Sequence, residues 1–382
     1  MPEINKFLPR HAQKAVRKFI FRLMKLRLSI PVWLIATPVL AWLSIALISA
    51  DTGMLSVVLL SVVLIAAVMA SVHLAEIIAH KVGEPFGTLI LALAVTIIEL
   101  SLIVSLMSAG GEQSLTLARD TILAANMIIL NGLIGLSILM GALKYHEQTI
   151  TRHSATSALV ALISILVLTL VLPNFTTSIS GPEYNKAQLT FVAVICIVIY
   201  VAFVFVQSVR HRDYFLPAGE SNEDHHAEPP SGKTALLSLL LLLACLGAVV
   251  LLAKSLSPVI ESGVEKIGAP QSLVGVIIAM IILLPEGIAA VQAARKNRLQ
   301  TSMNLALGSA LASTGLTIPA VAAYSMFTGS TVLLGISTAS TVLLLLSIFI
   351  VMLSLVTGRT NVLYGIVLLM VFATYLFTSI IP

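Results

Sequence analysis

The sequence predicts an all-α, polytopic membrane protein, and three observations lead to this fold class. Hydrophobic residues make up 58% of the 382 positions and charged residues only 10%, whereas soluble domains average about 45 to 50% apolar and about 25% charged residues. Apolar runs of about 20 residues, the length of a membrane-spanning helix, recur along the chain. The polar stretches between them are mostly short. Together these features exclude an ordinary soluble fold.

About eleven transmembrane helices are expected, because that many segments are long enough to cross a hydrocarbon core about 30 Å thick. The first is a leading helix that follows a basic terminus, and the others are separated by loops. The spans cover residues 29–50, 54–80, 85–108, 118–143, 154–173, 187–209, 234–254, 270–294, 299–327, 330–356 and 360–380.

The basic N-terminus indicates how the chain lies in the membrane. The first 28 residues carry eight of the 22 Lys and Arg residues. A cleavable signal peptide has an apolar region of about 7 to 15 residues, but here the apolar run continues from Ser29 to Ala50, so the span should be retained. With the N-terminus in the cytoplasm, 18 Lys and Arg fall on the cytoplasmic side and four on the outer side. This bias supports that orientation and indicates a lipid bilayer, not nucleic acid, as the partner.

The extended polar stretch at 210–233 divides the remaining ten spans into two sets of five. An odd number of spans per set makes two related halves inverted in the membrane. Lys81-Val82-Gly83-Glu84-Pro85 and Lys266-Ile267-Gly268-Ala269-Pro270 open the second span of each half and resemble each other. The predicted organisation is a basic cytoplasmic terminus at 1–28, a leading helix at 29–53, a first five-helix repeat at 54–209, an acidic cytoplasmic loop at 210–233 and a second five-helix repeat at 234–382.

Two glutamates lie inside apolar spans, at corresponding places in the two halves. Glu99 follows Pro85 by 14 residues and Glu286 follows Pro270 by 16. At about 1.5 Å per residue, each lies about 21 to 24 Å along its helix, within the hydrocarbon zone. Such groups are costly in a membrane and usually face a cavity, although protonated or hydrogen-bonded glutamates that only join helices are the alternative. Pro285 should kink or break the helix beside Glu286.

Two carboxylates that face one cavity suit the exchange of a cation for protons. Two protons or one divalent cation neutralise the pair, whereas the empty dianion would be costly to carry through a closed, dry intermediate. Carboxylate oxygens bind hard cations such as Ca²⁺, and we extend this to Na⁺ and K⁺. Glu99 and Glu286 are therefore the predicted metal ligands and proton sites. Thr96, one turn before Glu99, either adds a ligand or bonds its own backbone carbonyl.

Further polar residues are candidates for the pathway or its entrances. Glu76 and Glu84 fall near the cytoplasmic ends of their spans and Glu261 near the outer side, where each either attracts cations or lies in a solvated loop. The acidic, His-containing central loop is either a solvated linker or a sensor of metal or pH. The neighbouring spans carry polar residues that line the pathway or only pack between helices, namely Asn126, Asn131, Asn304, Ser309, Ser313 and Thr314.

Several of these stretches resemble one family. They are Gly83-Glu84-Pro85-Phe86-Gly87-Thr88, Thr96-Ile97-Ile98-Glu99-Leu100, Leu284-Pro285-Glu286-Gly287 and Gly358-Arg359-Thr360-Asn361. The chain resembles the proton-coupled branch of the calcium/cation antiporter superfamily, most closely the bacterial Cha-type sodium/potassium and calcium/proton antiporters. The resemblance covers nearly the whole chain. It implies a bacterial inner-membrane protein with alternating access at Glu99 and Glu286, and Thr96 beside them.

One departure from the family bears on the transported ion. Calcium/proton exchangers of this family have a Gly-Asn-Ala-(Thr/Ala)-Glu signature at both acids, and this chain lacks the asparagine at each. We therefore give Na⁺ and K⁺ the same weight as Ca²⁺. The expected function is a secondary antiporter that extrudes these cations against protons, without a resident cofactor. A cation channel with a continuous pore is the alternative.

An enzyme is not expected. The sequence contains no HExxH, GxSxG, CxxC or P-loop pattern. Cys196 and Cys245 each lie inside an apolar run and are predicted to be small core residues.

Overall fold

The computed structural model describes residues 30–47, 53–83, 86–107, 114–215, 230–270 and 272–381. The predicted basic terminus, most of the acidic central loop and the candidate Glu84 lie outside the described residues.

Before the central loop the structure describes the leading helix and the five longer helices of the first half, and three of the latter include segments with π-helical or 3₁₀ geometry. Helices α1 to α3 are Val32–Leu47, Met54–Val82 and Phe86–Met107. Helix α4 joins Ser114–Met127, a π-helical segment Ile128–Leu133 and Ile134–Tyr145. Helix α5 joins Arg152–Leu166, a π-helical segment Val167–Val171 and a 3₁₀ segment Leu172–Phe175. Helix α6 joins Lys186–Phe205 and a π-helical segment Val206–Arg210, and a short helix Arg212–Phe215 follows it.

The second half contains five long helices. They are α7 Gly232–Lys266, α8 Ser272–Arg295, α9 Leu299–Thr328, α10 Thr338–Val356 and α11 Val362–Ile380.

The described helices confirm the predicted fold class. Nine of them, α2 and α4 to α11, are long and apolar enough to cross a membrane. The other two, α1 and α3, are apolar helices that fall on the predicted spans 29–50 and 85–108. The protein is therefore all-α and polytopic.

Two sequence-based expectations about helix ends and breaks need correction. Helix α7 continues to Lys266 instead of ending near residue 254, because a helix can extend beyond the apolar run that hydropathy detects. Glu261 consequently lies in a helix and not in a loop. The break at Pro285 is wrong, because helix α8 runs through this residue without interruption; the alternative, a kink in a continuous helix, stays a prediction. Neighbouring helices and local adjustment tolerate the single lost backbone bond in a membrane bundle.

Short backbone pairings join the loops at the two ends of the bundle. Strand β1, Gln148–Thr149, pairs antiparallel with strand β2, Arg359–Thr360, which links the α4–α5 loop to the α10–α11 loop. At the other end Glu183, before α6, forms a single bridge with Leu333, between α9 and α10. Hydropathy alone did not predict either pairing.

The packing brings the two glutamate helices to the centre of the bundle. Helix α3 packs on α9, and α8 packs on both α4 and α9. Helix α8 approaches α4 closely at Gly275, where an added Cβ would lie 3.0 Å from the backbone nitrogen of Thr121. Cys196 and Cys245 are free and buried in the packed core, as predicted.

Candidate cation site

Glu99 lies on α3 and is almost completely enclosed by neighbouring helices. Its side chain is 3% exposed, and Ile98 and Leu102 beside it are also buried. The Ser313 hydroxyl on α9 donates a hydrogen bond of 2.7 Å to Glu99 Oε1. A carboxylate with so little access to water depends on such protein donors when it is ionised.

Glu286 reaches the same region from α8. Its side chain is partly buried, and the Ser309 hydroxyl donates a hydrogen bond of 2.7 Å to Glu286 Oε2. Ser309 and Ser313 are four residues apart on α9, a spacing that places both on one face of a helix. Helix α9 therefore presents one hydroxyl to each glutamate, which the i, i+4 spacing could have indicated from the sequence.

The two glutamates line one cavity of about 240 Å³. Its polar lining consists of both carboxylates and the side chains of Thr96, Ser309 and Ser313. The sequence predicts both glutamates as the site, whereas it leaves Thr96 as a ligand or a backbone-bonded residue, and Ser309 and Ser313 as pathway or packing residues. Sequence reasoning missed the apolar wall formed by Val95, Leu283 and Ala312, because nothing in the pattern distinguishes these residues from other apolar helix positions.

The donor set is suited to a hard cation. Carboxylate and hydroxyl oxygens are the ligands that such ions prefer. The described residues contain no group of three or more His, Cys, Asp or Glu side chains that could hold a metal ion. A cation at Glu99 and Glu286 would therefore complete its coordination with hydroxyl groups, backbone carbonyls or water. Protons could neutralise the same two carboxylates.

The two asparagines of α4 make their hydrogen bonds with other partners. Asn126 Nδ2 donates to the Thr314 hydroxyl, and Asn131 Nδ2 donates to the Ser347 hydroxyl, each at 2.8 Å. Both side chains are fully buried, and their Oδ1 atoms have no hydrogen-bond partner. The structure thus places both in contacts between helices and not in the lining of the glutamate cavity.

Asn304, Glu76 and Glu261 also lie away from this cavity. Asn304 accepts a hydrogen bond from Gln300 and donates one of 2.7 Å to the backbone carbonyl of Phe215. Glu76 is exposed, and its Oε2 lies 3.9 Å from Nδ1 of His73 on the same helix. Glu261 accepts a hydrogen bond from Ser257. The predicted entrance residues are thus separate from the pair at the centre.

The fold and the site define a class: an all-α, multi-pass membrane protein with two acidic helices around one small, oxygen-lined cavity. Comparison with known families specifies it further. The model of the sodium/calcium exchanger protein family matches residues 52–209 and 237–381. The chain belongs to this family, and the resemblance inferred from its motifs is confirmed.

Individual relatives cover most of the chain. The protein y4hA of Sinorhizobium fredii, named as an ionic transporter, is 46% identical over 316 residues, which are 82% of this chain and 85% of the relative. The sodium-potassium/proton antiporter ChaA of Escherichia coli is 35% identical over 308 residues, 80% of this chain and 83% of the relative. A crystal structure of the Ca²⁺/H⁺ antiporter protein YfkE has a TM-score of 0.68 at 18% identity and covers 92% of this chain and 99% of that one. This last match shows a shared fold.

Proposed function

We propose that this protein is a secondary antiporter that exchanges cytoplasmic Ca²⁺, Na⁺ or K⁺ for protons by alternating access at Glu99 and Glu286. The observation that carries the proposal is the small cavity that both carboxylates line, each with its own hydroxyl donor from α9. The relationship to the E. coli sodium-potassium/proton antiporter supports the same class of activity.

The charge of the pair supplies the coupling in this proposal. Two protons neutralise the carboxylates, and so does one divalent cation or two monovalent cations. The loaded forms can pass through a closed state, whereas two uncompensated charges in an apolar enclosure are penalised by desolvation and by mutual repulsion. Exchange follows because the protein changes its open side mainly when it is loaded.

The packing supports two inverted halves that move around one central site. Helix α3 of the first half packs on α9 of the second, and α8 of the second packs on α4 of the first. The loop pairings also join the first half to the second. Residues 148–149 pair with 359–360 at one end of the bundle, and Glu183 pairs with Leu333 at the other. The two segments matched by the family model fall on the proposed halves, 54–209 and 234–382.

The basic ends of several helices lie together, which supports a common cytoplasmic side. Lys144 Nζ, near the end of α4, donates a hydrogen bond of 3.2 Å to the carbonyl of Arg295, at the end of α8. Arg359 pairs with Thr149 in the short ladder at this end. By the positive-inside rule we assign this end, and with it the N-terminus, to the cytoplasm.

The residues that line the site also explain why we include monovalent cations. The described lining contains carboxylates and hydroxyls but no Asn or Gln side chain. A site with few fixed ligands that completes its coordination with water or carbonyls is less restricted to Ca²⁺, which takes about six to eight oxygens.

Coupled flux in proteoliposomes tests the proposal. Vesicles with purified protein and a lumenal pH dye receive Ca²⁺, Na⁺ or K⁺ on the outside. We expect at least one cation to drive protons out of the lumen at a rate that saturates with its concentration. The variant Glu265→Gln, at an exposed position on α7, should behave in the same way. Cation uptake without proton movement would indicate a passive channel and contradict the proposal.

A further inference from the structure

A second, apolar crevice lies between helices α2, α3, α7 and α8. Aliphatic side chains from all four helices line it, among them Leu64, Leu102, Leu256 and Ile281. Ser257 on α7 is the one polar residue in the lining that the structure describes. Narrow apolar passages of this kind block ions, because water leaves them when they close.

The crevice lies on one side of the glutamate cavity. Leu102 follows Glu99 by three residues, about 4.5 Å along α3, and Ile281 precedes Glu286 by five, about 7.5 Å along α8. Because α3 and α8 run in opposite directions in the proposed topology, both displacements point to the same side of the membrane. In the proposed orientation this is the outer side, where α3 ends and α8 begins. The crevice therefore lies on the outer side of the two glutamates, and two of its helices, α3 and α8, also carry them.

A carboxylate is hydrogen-bonded to Ser257, which forms the polar corner of this crevice. The Ser257 hydroxyl donates a hydrogen bond of 2.7 Å to Glu261 Oε1, and Glu261 is partly buried. The corner thus combines the Ser257 hydroxyl, which lines the crevice, with a carboxylate one turn further along α7. Neither Glu261 nor Glu265 is itself part of the crevice lining. Glu265, one turn after Glu261, is exposed.

We propose that Glu261, oriented by Ser257, is the outer access site at which cations and protons bind as they pass between the outer solution and the Glu99–Glu286 cavity. This inference rests on the proposed antiport function. A carboxylate at the mouth of a low-dielectric passage raises the local concentration of cations, and salt screens the effect. The hydrogen bond from Ser257 holds the carboxylate beside the crevice lining.

The test compares the two faces of the transporter in vesicles of defined orientation. Glu261→Gln should raise the concentration of cation needed for half-maximal exchange by about three- to tenfold when the cation is on the outer side. The value measured from the cytoplasmic side should not change. Raising ionic strength should weaken outer-side affinity in the wild type more than in Glu261→Gln. Ser257→Ala should also raise the outer-side cation concentration for half-maximal exchange, but by a smaller factor. The matched variant Glu265→Gln should resemble the wild type.

Equal shifts on both sides would indicate a general disturbance of the fold and would overturn the inference. The inference would also be overturned if the cation concentration for half-maximal exchange on the outer side were unchanged in both Glu261→Gln and Ser257→Ala, with membrane levels matched by immunoblot. If that unchanged outer value is accompanied by loss of exchange in Glu99→Gln, only the proposed access site is excluded and the antiport function stands. Exchange that persists in Glu99→Gln would instead overturn the proposed central site, and cation flux without proton movement in the wild type would overturn the antiport function.

Discussion

Shortening Glu99 by one methylene separates the geometry of the site from its charge. Glu99→Asp keeps the carboxylate but draws it back by about 1.5 Å, roughly one carbon–carbon bond. The oxygen that now accepts a hydrogen bond of 2.7 Å from Ser313 would then lie beyond hydrogen-bond distance. A cation that must bind oxygens at about 2.3 to 2.6 Å would also lose contact with one side of the site. Proton binding needs no such bridging geometry.

The expected cost follows from the interaction that is lost. A hydrogen bond to a charged group contributes about 1.5 to 3 kcal/mol, which corresponds to roughly a 10- to 150-fold change in an equilibrium constant. We therefore expect Glu99→Asp to weaken apparent cation affinity by about tenfold or more, while each cation taken up still displaces protons. The assay is cation-driven proton release in proteoliposomes, with Glu265→Asp, at an exposed position on α7, as the matched control. If the apparent cation affinity of Glu99→Asp equalled that of the wild type, this would refute a site in which the cation contacts both carboxylates.

Three further predictions address packing, proton competition and binding. Gly275→Ala places a Cβ 3.0 Å from the Thr121 backbone nitrogen and should destabilise the protein by about 1 to 3 kcal/mol, so its melting temperature in detergent should fall. Gly263→Ala, inside α7 with nothing within 4 Å of the added Cβ, should melt at or above the wild-type temperature, because alanine favours a helix more than glycine does. Equal melting of the two variants would show that α8 and α4 do not pack as described. Lowering the pH should raise the cation concentration that gives half-maximal exchange, because protons and cations compete for the same carboxylates, and initial rates at several pH values would show a pH-independent value if the sites were separate. A transported cation at 100 times its Kd should stabilise the wild type by about 2.7 kcal/mol, measured as a thermal shift, and Glu286→Gln should lose this shift; an undiminished shift would place the cation elsewhere.

Sequence could predict the spans and the two acids because both are local signals. A run of about 20 apolar residues indicates a membrane helix whatever surrounds it, and a glutamate inside such a run is conspicuous by its cost. The hydropathy signal ends where the apolar run ends. It therefore predicts an end of α7 near residue 254, whereas the helix continues to Lys266. Helices that leave the hydrocarbon zone no longer need apolar residues.

Side-chain partners could not be predicted in the same way. Asn126, Asn304 and Ser313 had equal standing as pathway candidates, yet only Ser313 lines the glutamate cavity, while Asn126 bonds Thr314 and Asn304 bonds the Phe215 carbonyl. The difference depends on the rotation of each helix about its axis and on the helix it faces. These are tertiary properties, and the π-helical segment in α4 shifts the rotation again between Asn126 and the end of the helix.

The most direct test of the account is coupled flux in matched proteoliposomes containing wild-type protein, Glu99→Gln or Glu286→Gln. The measurement is proton release from the lumen on addition of Ca²⁺, Na⁺ or K⁺, with equal amounts of folded protein verified by size-exclusion chromatography. We predict saturable, coupled exchange in the wild type and none in either variant, because each variant removes one of the two charges that cations and protons share. Full exchange by either variant would contradict a mechanism centred on Glu99 and Glu286.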